Sequence, residues 1–465
     1  MVLQRESPMV IFGTGIPGKK ITLDFPSSNR TTTLVKNDSS WSFTLKPQKY
    51  SLRPFDFMVS DDVQNRRLKN ILIGDVWLCA GQSNMEFPLS NDKYYAGNKS
   101  LQPNPGIRIL NPQYVGKDFY GRPFSDSMKS RLQAGKYYEG SWQLADSTAS
   151  ASMSAIGYYF ASIIQSETAV PIGIINMAVG GSPIESWMST TSLSSSGSFQ
   201  NKLANNWMDN EALPVWIRQR AIENIGKTHQ AHPFKPGYMY DHGILPLMKH
   251  PIKGILWYQG ESNAQELDRV NEYVALMNIL VTDYRKGWNF QKLPFYFVQL
   301  SSIDTIKYKS DLWPLFRANQ LLAYNQIKYT GMAVSSDIGD KENVHPRDKR
   351  TVAERLSRWA LHDLYGKKVL VSGPMPARGY YKKNEIVIQF KYADGLKTAD
   401  QKKIRGFSLN GIDPTEAVIH KNEIRLKINT PPEFIYYAYR PFSDANLVNA
   451  EGLPATPFVL NVSSK

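Results

Sequence analysis

The feature that most constrains the fold is a change of periodicity about 70 residues into the chain. Residues 1–70 alternate short β-type runs with Gly, Pro, Ser and Asn, which is typical of a small β-sandwich. Residues 71–368 alternate apolar strands with long helical periodicities, which predicts a parallel sheet covered by helices on both sides. Residues 369–465 return to strand patterns. We therefore predict an α/β fold in three domains, 1–70, 71–368 and 369–465, whose terminal β segments are candidates to pack together.

The α/β segment contains five candidate strands and five candidate helices. The strands are predicted at 75–79, 172–176, 254–258, 295–298 and 332–334. The helices are predicted at 154–166, 214–227, 268–286, 313–326 and 346–364, the last with Pro346 in its first turn. Because open α/β sheets bind ligands at the carboxyl ends of their strands, the residues that follow each strand are where we look for chemistry.

Composition excludes several functional classes. Of the 465 residues, 42% are apolar and 21% charged, as in soluble globular proteins, and no apolar run approaches the length of a membrane span. The net charge of +14 is spread along the chain, with no basic, aromatic-interleaved module, so we expect no nucleic-acid partner. No obligate protein partner is indicated either. A cationic surface of this kind can attract anionic sugars.

Cysteine and histidine usage argues against metal or cofactor chemistry. Cys79 is the only cysteine, so there is no intrachain disulfide, and we interpret it as a core residue. His229 and His232 form a loose pair, but there is no His-Glu-x-x-His motif, Walker loop or GxGxxG. We therefore expect neither a metal nor a cofactor. Residues 1–6 lack the apolar core of a signal peptide and are typical of a strand.

Three predicted strand ends carry glycines and polar side chains suited to acyl chemistry. At 81–85 (GQSNM) a glycine lets the backbone turn sharply and present the Ser83 hydroxyl, and the adjacent N–H can face an oxyanion. At 180–185 (GGSPIE) paired glycines permit close approach to a ligand and can offer an N–H. At 258–263 (YQGESN) side-chain amides can donate to an oxyanion. Taken singly, each block has an ordinary alternative, a helix cap, a tight turn or a capped loop.

A histidine, His345, follows the fifth predicted strand and precedes the predicted last helix. A serine hydroxyl is a poor nucleophile unless a general base removes its proton, and His345 is placed to be that base. Such a base usually needs an orienting group. Glu342 is the local candidate, with Asp337 and Asp340 as alternatives. The three blocks and the segment that carries His345 each follow a predicted strand. Taken together and in this order, they indicate a serine esterase centre.

The same blocks resemble a known family. Residues 81–85, 180–187, 257–263 and 345–349 resemble the ordered blocks of the sialate O-acetylesterases, which belong to the SGNH hydrolase superfamily. The resemblance extends over nearly the whole chain, since 1–5, 437–440 and 453–458 resemble that family's terminal β segments.

The resemblance implies an SGNH-hydrolase-like sheet and hydrolysis of O-acetyl esters of sialic acids, with 9-O-acetyl as the expected position, through an acetyl-enzyme and without a cofactor. It implies Ser83 as nucleophile and His345 as base. It also implies an oxyanion hole formed by the N–H groups of Ser83 and Gly181 and by a side chain of the third block. Gln259 is the first choice for that side chain and Asn263 the second. A periplasmic or secreted location is expected from the family.

Two positions depart from the superfamily pattern. Gln259 stands in the block where the superfamily commonly uses the Asn of a Gly-x-Asn-Asp sequence. Glu342 stands three residues before the histidine, where the superfamily has Asp, so a dyad without a carboxylate is the alternative to a triad. Arg317 is the candidate to bind the sialate carboxylate, against the alternative of a structural helix arginine.

Two other functions stay open at this point. An acetyl-xylan esterase or another carbohydrate acetylesterase of similar scaffold would keep Ser83 and His345. It would not need a cationic pocket, because xylan is neutral. A non-catalytic glycan-binding protein on the same scaffold predicts no turnover and binding that survives Ser83→Ala.

Overall fold

The structure, a computed structural model, describes residues 1–26, 28, 30–95, 103–204 and 206–464. Its largest element is a sheet of 11 strands. The main path of this sheet runs through Gln143–Ala145, Asn104–Leu110, Ile172–Asn176, Asn65–Gly81, Gly254–Tyr258, Phe295–Val298 and Thr330–Ala333, in that spatial order. The first two strands pair antiparallel and every later neighbouring pair is parallel. The expected mixed α/β architecture with a large parallel sheet is thus confirmed.

The central strands are short apolar runs that bury both faces. Every residue of Ile172–Asn176, Gly254–Tyr258 and Phe295–Val298 is buried, as expected of parallel strands covered on both sides. The described α-helices are Ser83–Glu86, Asp126–Ser130, Ser147–Ser152, Ala155–Thr168, Thr190–Ser195, Val215–Ile225, Leu267–Gly287, Trp313–Gln326 and Lys349–Tyr365. Short 3-10 helices run Leu89–Asn91, Ile184–Trp187, Gln200–Leu203, Leu245–Lys249 and Ser336–Ile338, and a π-helix turn runs Tyr240–Ile244.

The last helix begins later than the sequence predicts. Its first residue is Lys349, and the Asp348 side chain caps it by accepting the N–H of Thr351 at 3.1 Å. The prediction that Pro346 lies in the first turn is therefore wrong. A side-chain cap decides the start of the helix, and His345 and Pro346 lie in the loop before it.

Two N-terminal strands, Val2–Gln4 and Ser51–Ser60, pair with the longest strand, Asn65–Gly81, which continues into the central sheet. The N-terminal strands form a hydrophobic cluster of their own that includes Leu23, Phe25 and Phe57. The N-terminal strands are Val2–Gln4, Met9–Thr14, Lys20–Asp24, Thr31–Leu34, Ser40–Leu45 and Ser51–Ser60.

A seven-stranded sheet follows the last helix. Several of its buried residues, among them Ile424 and Phe458, belong to the same hydrophobic cluster as Trp77 and Trp257 of the central sheet. The two terminal β regions therefore contribute to different cores, and the domain boundaries near 70 and 368 stay predictions. In spatial order the strands of this sheet are Phe407–Ser408, Phe434–Tyr437, Phe458–Ser464, Met375–Lys382, Glu385–Lys391, Glu423–Lys427 and Val418–His420.

Two small strand pairs complete the described fold: Gln113–Tyr114 with Tyr138–Glu139, and Lys397–Thr398 with Leu447–Val448. Within the described ranges, none of the helices has the length and apolar character needed to cross a membrane.

Candidate active site

Ser83 and His345 meet at the carboxyl edge of the central sheet, although 262 residues separate them in the chain. Ser83 begins a short helix directly after the strand Asn65–Gly81. His345 lies in the loop that follows the strand Thr330–Ala333. His345 Nε2 is 2.7 Å from Ser83 Oγ, which is within the distance at which a base can take a hydroxyl proton.

The turn that presents Ser83 requires glycine at position 81. Gly81 has a φ of +122°, and a Cβ there would lie 2.2 Å from the Tyr258 carbonyl oxygen of the neighbouring strand. The next N–H, that of Gln82, donates to the same carbonyl at 2.9 Å. The strand thus ends in close contact with its neighbour, and the serine follows at a defined position.

The His345 ring is half-buried and carries a low pKa. Burial, and after it the nearby Lys349 ammonium, lower the pKa of His345 to about 4. The ring is therefore neutral near pH 7 and free to accept a proton. The backbone N–H of His345 donates to the Asn343 side-chain oxygen at 2.9 Å, which helps to order the loop.

The Glu342 carboxylate points into solvent. Its side chain is 70% exposed and forms an ion pair with Lys307. Asp340 accepts the backbone N–H of Glu342 at 2.9 Å, and Asp337 pairs with Arg355. Across the described part of the chain, no carboxylate forms a hydrogen bond with the His345 ring. The structure thus brings together the serine and the histidine but none of the three carboxylates considered from the sequence.

Two backbone N–H groups at this edge lack an acceptor. Among the described residues, neither the N–H of Ser83 nor that of Gly181 forms a hydrogen bond, whereas the N–H of Gly180 donates to Glu86 at 2.8 Å. Gly181 has a φ of +77°, and a Cβ there would approach the Trp216 ring to 2.8 Å. Unpaired N–H groups beside a serine are what an oxyanion hole requires.

The loop that carries Gly181 is hydrogen-bonded to the turn that precedes Ser83. The Val179 N–H donates to the Gly81 carbonyl at 3.0 Å, and the Ser262 hydroxyl donates to the Gly181 carbonyl at 2.9 Å. The second and third sequence blocks therefore converge beside Ser83, as their positions at strand ends predict.

The side chains of Gln259 and Asn263 are fully buried and engaged with each other. Gln259 Nε2 donates to Asn263 Oδ1 at 2.8 Å and to Gln82 Oε1 at 3.2 Å, while its own oxygen accepts the Tyr273 hydroxyl at 2.9 Å. Asn263 Nδ2 donates to Glu185 at 2.9 Å. In the structure these amides join the three loops to one another.

A family model for sialic acid-specific acetylesterases among the carbohydrate esterases matches residues 73–209 and 231–360. This chain belongs to that family. The family contains carboxylic ester hydrolases, so the chain is an esterase, and the family resemblance drawn from the sequence blocks is confirmed.

Curated relatives and a solved structure agree with this membership. Sialate O-acetylesterase of Mus musculus is 29% identical over 415 residues, which cover 81% of this chain and 74% of the mouse protein. The protein of the same name from Homo sapiens is 29% identical over 408 residues, covering 81% and 72% of the two chains. The crystal structure of a carbohydrate acetylesterase from Xanthomonas citri matches with a TM-score of 0.80 and 27% identity, covering 99% of this chain and 97% of that one.

The structure buries Arg317 and binds its guanidinium to the protein itself. Its side chain is fully buried, and its guanidinium donates to the backbone carbonyls of Arg440 and Pro441 and to the Ser302 hydroxyl, the last at 3.1 Å. Burial lowers the pKa of Arg317 to about 10. These contacts join the helix to the C-terminal region, and they correspond to the structural alternative considered from the sequence.

Sequence reasoning missed a buried ion pair in the esterase, which we call the direct pair. It consists of Glu185, from the second block, and Lys202, whose ammonium lies 3.0 Å from the Glu185 carboxylate with both side chains fully buried. Burial would raise the pKa of Glu185, but the Lys202 charge and the Asn263 amide outweigh it and lower that pKa. Lys202 also contacts Glu272 at 2.7 Å.

A second buried lysine and glutamate were also missed, and here an amide separates them. We call Lys349 and Glu261 the bridged pair, because the Asn84 side chain lies between them and binds both. All three residues lie within the quoted sequence blocks: Asn84 directly follows Ser83, Lys349 ends the block that begins at His345, and Glu261 lies in the third block. Membership of these blocks was the only available signal, because nothing local shows which polar side chains point inward.

Cys79 is fully buried in the central sheet, which confirms its interpretation as a core residue. In the ranges that the structure describes, no group of three or more His, Cys, Asp or Glu side chains is arranged to hold a metal ion.

Proposed function

We propose that this esterase hydrolyses O-acetyl esters of sialic acids, with 9-O-acetyl as the expected position, through Ser83 and His345. The observation that carries the proposal is the 2.7 Å contact between Ser83 Oγ and His345 Nε2, at the carboxyl edge of the sheet of a member of this family. The mouse and human relatives are named sialate O-acetylesterase, which supports the choice of substrate.

In the proposed reaction, His345 takes the Ser83 proton while Ser83 Oγ attacks the acetyl carbonyl carbon. The oxyanion that forms accepts hydrogen bonds from the free N–H groups of Ser83 and Gly181. His345 then donates its proton to the departing sugar oxygen, and the acetyl group stays on Ser83. Water, deprotonated by the same histidine, hydrolyses the acetyl-enzyme. Loss of one oxyanion donor would cost about 10²–10³ in rate.

We propose that the centre is a dyad on an SGNH-hydrolase-like sheet. The exposed Glu342 carboxylate is bound to Lys307 and is therefore not part of the proposal. Gln259 and Asn263 are proposed to hold the oxyanion loops in place, since their amides already bind neighbouring side chains. A periplasmic or secreted location follows from the proposed substrate, because sialic acids are displayed at the cell exterior.

A second candidate is an acetylesterase for neutral sugars such as acetylated xylan. The burial of Arg317 favours it, because that residue was the cation singled out to bind the sialate carboxylate. The structural relative from Xanthomonas citri is named only as a carbohydrate acetylesterase. The chemistry at Ser83 would be unchanged.

The test compares acetate release from 9-O-acetylated sialic acid and from an acetylated xylo-oligosaccharide. Wild type is measured beside Ser83→Ala, with the exposed Ser194→Ala as the matched control. If wild type and Ser194→Ala release acetate from the sialic acid and Ser83→Ala does not, the result supports both the proposed substrate and the proposed nucleophile. A preference for the xylo-oligosaccharide would support the second candidate. Turnover that survives in Ser83→Ala would rule out the proposed nucleophile.

A further inference from the structure

The Asn84 side chain connects the two halves of the proposed centre. Asn84 follows the serine and is 1% exposed. Its Nδ2 donates to the backbone carbonyl of Val344, the residue before His345, at 3.0 Å, and also to Glu261 Oε1. One amide group therefore spans from the residue after the nucleophile to the residue before the base.

The charges at either end fix the orientation of this amide. Asn84 Oδ1 accepts a hydrogen bond from the Lys349 ammonium, which has only donors to offer. The Glu261 carboxylate accepts from the opposite end. A flipped amide would turn its NH₂ toward the ammonium and its oxygen toward the carboxylate, and would lose every bond, including that to Val344.

The Lys349 ammonium is itself held without a direct carboxylate contact in the described structure. It is 1% exposed and lies over the rings of Phe87, at 4.8 Å, and Tyr258, at 5.7 Å. The backbone N–H of Lys349 donates to the Asp92 carboxylate at 2.8 Å, at the start of the last helix. The two rings and Asn84 therefore hold the ammonium, and the bond to Asp92 holds the backbone that carries it.

We propose that Asn84, clamped between Glu261 and Lys349, is the positioning residue that sets the geometry between Ser83 and His345. This inference rests on the proposed Ser83–His345 centre. In a triad a carboxylate on the second ring nitrogen orients the base. Here the Asn84 side chain ties the backbone that carries the base to the segment that carries the nucleophile.

Lys349 has an additional electrostatic effect on the base. After burial, its charge is the second cause that lowers the pKa of His345 to about 4, which keeps the ring neutral. Burial lowers the pKa of Lys349 itself to about 7, against the attraction of Glu261, Asp92 and Asp348. In the acidic range in which His345 titrates, Lys349 is therefore charged.

The first experiment measures kcat and KM for 4-nitrophenyl acetate, a small ester that needs no sugar recognition. We expect Asn84→Ala to lower kcat about 100-fold with KM within about 3-fold, because the misplaced base acts in the chemical step. Glu261→Gln keeps the acceptor for Asn84 and is expected to retain most of kcat. A purely structural role predicts a lower Tm for Asn84→Ala but a normal kcat per folded molecule, and that result would overturn the proposal.

The second readout is the pH dependence of kcat/KM in Lys349→Met. Removal of the ammonium raises the pKa of His345, so the acidic limb is expected to move to higher pH. If the acidic limb of the pH profile does not move, the proposed effect of the Lys349 charge on the pKa of His345 is wrong. If Asn84→Ala does not fold, the isosteric Asn84→Asp decides, since it keeps the acceptor for Lys349 and loses the donor to Val344. A normal kcat in that variant would overturn the positioning role.

Failure of the proposed function is recognised separately. If Ser83→Ala retains hydrolysis of 4-nitrophenyl acetate, and a fluorophosphonate probe labels it as it labels wild type, the Ser83–His345 centre is wrong whatever Asn84 does. If Ser83→Ala is inactive and unlabelled while Asn84→Ala is fully active, the centre stands and only the positioning role fails.

Discussion

The direct pair and the bridged pair place the same two residue types in the same buried setting, with different outcomes. In the direct pair the Lys202 ammonium touches the Glu185 carboxylate, and the pKa of Glu185 falls. In the bridged pair Asn84 separates the charges, and burial raises the pKa of Glu261. One Glu261 oxygen has no hydrogen-bond partner among the described groups, and burial lowers the pKa of Lys349 to about 7.

The difference between the two pairs shows that direct contact between buried charges offsets the cost of burying them. Transfer of an ion into a protein interior is costly, and close contact with the opposite charge offsets most of that cost. An inserted amide leaves both charges partly uncompensated. Because perturbed groups of this kind cluster at functional sites, the position of the bridged pair beside Ser83 and His345 agrees with a role in the reaction, whereas the direct pair holds loops together.

The largest expected effect on stability comes from breaking the direct pair. Lys202→Met leaves the Glu185 carboxylate buried without its partner and should lower the free energy of unfolding by about 3–5 kcal/mol. Urea denaturation measures this. The control is Lys227→Met, whose lysine is 66% exposed in wild type. It should change stability by no more than about 0.5 kcal/mol.

A double variant sharpens this result. Adding Glu185→Gln to Lys202→Met removes the unpaired charge and should recover a large part of the lost free energy, because the penalty belongs to the orphaned carboxylate. If the double variant is no more stable than Lys202→Met alone, the loss does not come from the orphaned Glu185 carboxylate and the electrostatic explanation of the direct pair is wrong.

Breaking the bridged pair should cost less. Lys349→Met leaves Asn84 Oδ1 without its donor, which corresponds to about 1–3 kcal/mol for a buried unsatisfied acceptor. Urea denaturation at the same pH allows a direct comparison with Lys202→Met. A loss as large as that of Lys202→Met would mean that the two pairs are energetically alike and that the Asn84 bridge makes no difference.

The pH dependence of stability separates the pairs further. The pKa of Lys349 is lowered from 10.5 to about 7 in the folded state, so between these values the unfolded chain binds more protons than the folded one. Stability of wild type relative to Lys349→Met should therefore rise with pH from 7 to 10, by about 1 kcal/mol per pH unit. Paired urea denaturation curves at pH 7, 8.5 and 10 would measure this. A constant difference would contradict the lowered pKa.

The smallest effect is expected at the exposed pair of Glu342 and Lys307, which lies outside both buried systems. Glu342→Gln should change stability by no more than about 0.5 kcal/mol, since exposed ion pairs contribute little. The kcat for 4-nitrophenyl acetate should stay within about 2-fold of the wild-type value, because the exposed carboxylate is bound to Lys307 rather than to His345. A fall of 100-fold would show that the carboxylate acts on His345 and that the centre is a triad.

Much of the central fold is visible in the sequence. The strands Ile172–Asn176, Gly254–Tyr258 and Phe295–Val298 and the helix Trp313–Gln326 have the predicted bounds, because continuous apolar runs and a clear helical period mark them. The strand Asn104–Leu110 was missed. It contains a proline and a glycine, and it is a strand because it pairs with Ile172–Asn176.

What the sequence alone determined is the family, and that the side chains of Ser83 and His345 lie together. A glycine-dependent turn at a strand end and a histidine after another strand are local patterns, and the parallel sheet brings such ends to one edge. Only the tertiary structure decided that Arg317 is buried, that Glu342 faces Lys307 and that Asn84 binds Lys349. The partner of a polar side chain comes from elements far away in the chain, and no local pattern records it. Asn84 and Lys349, for example, are 265 positions apart.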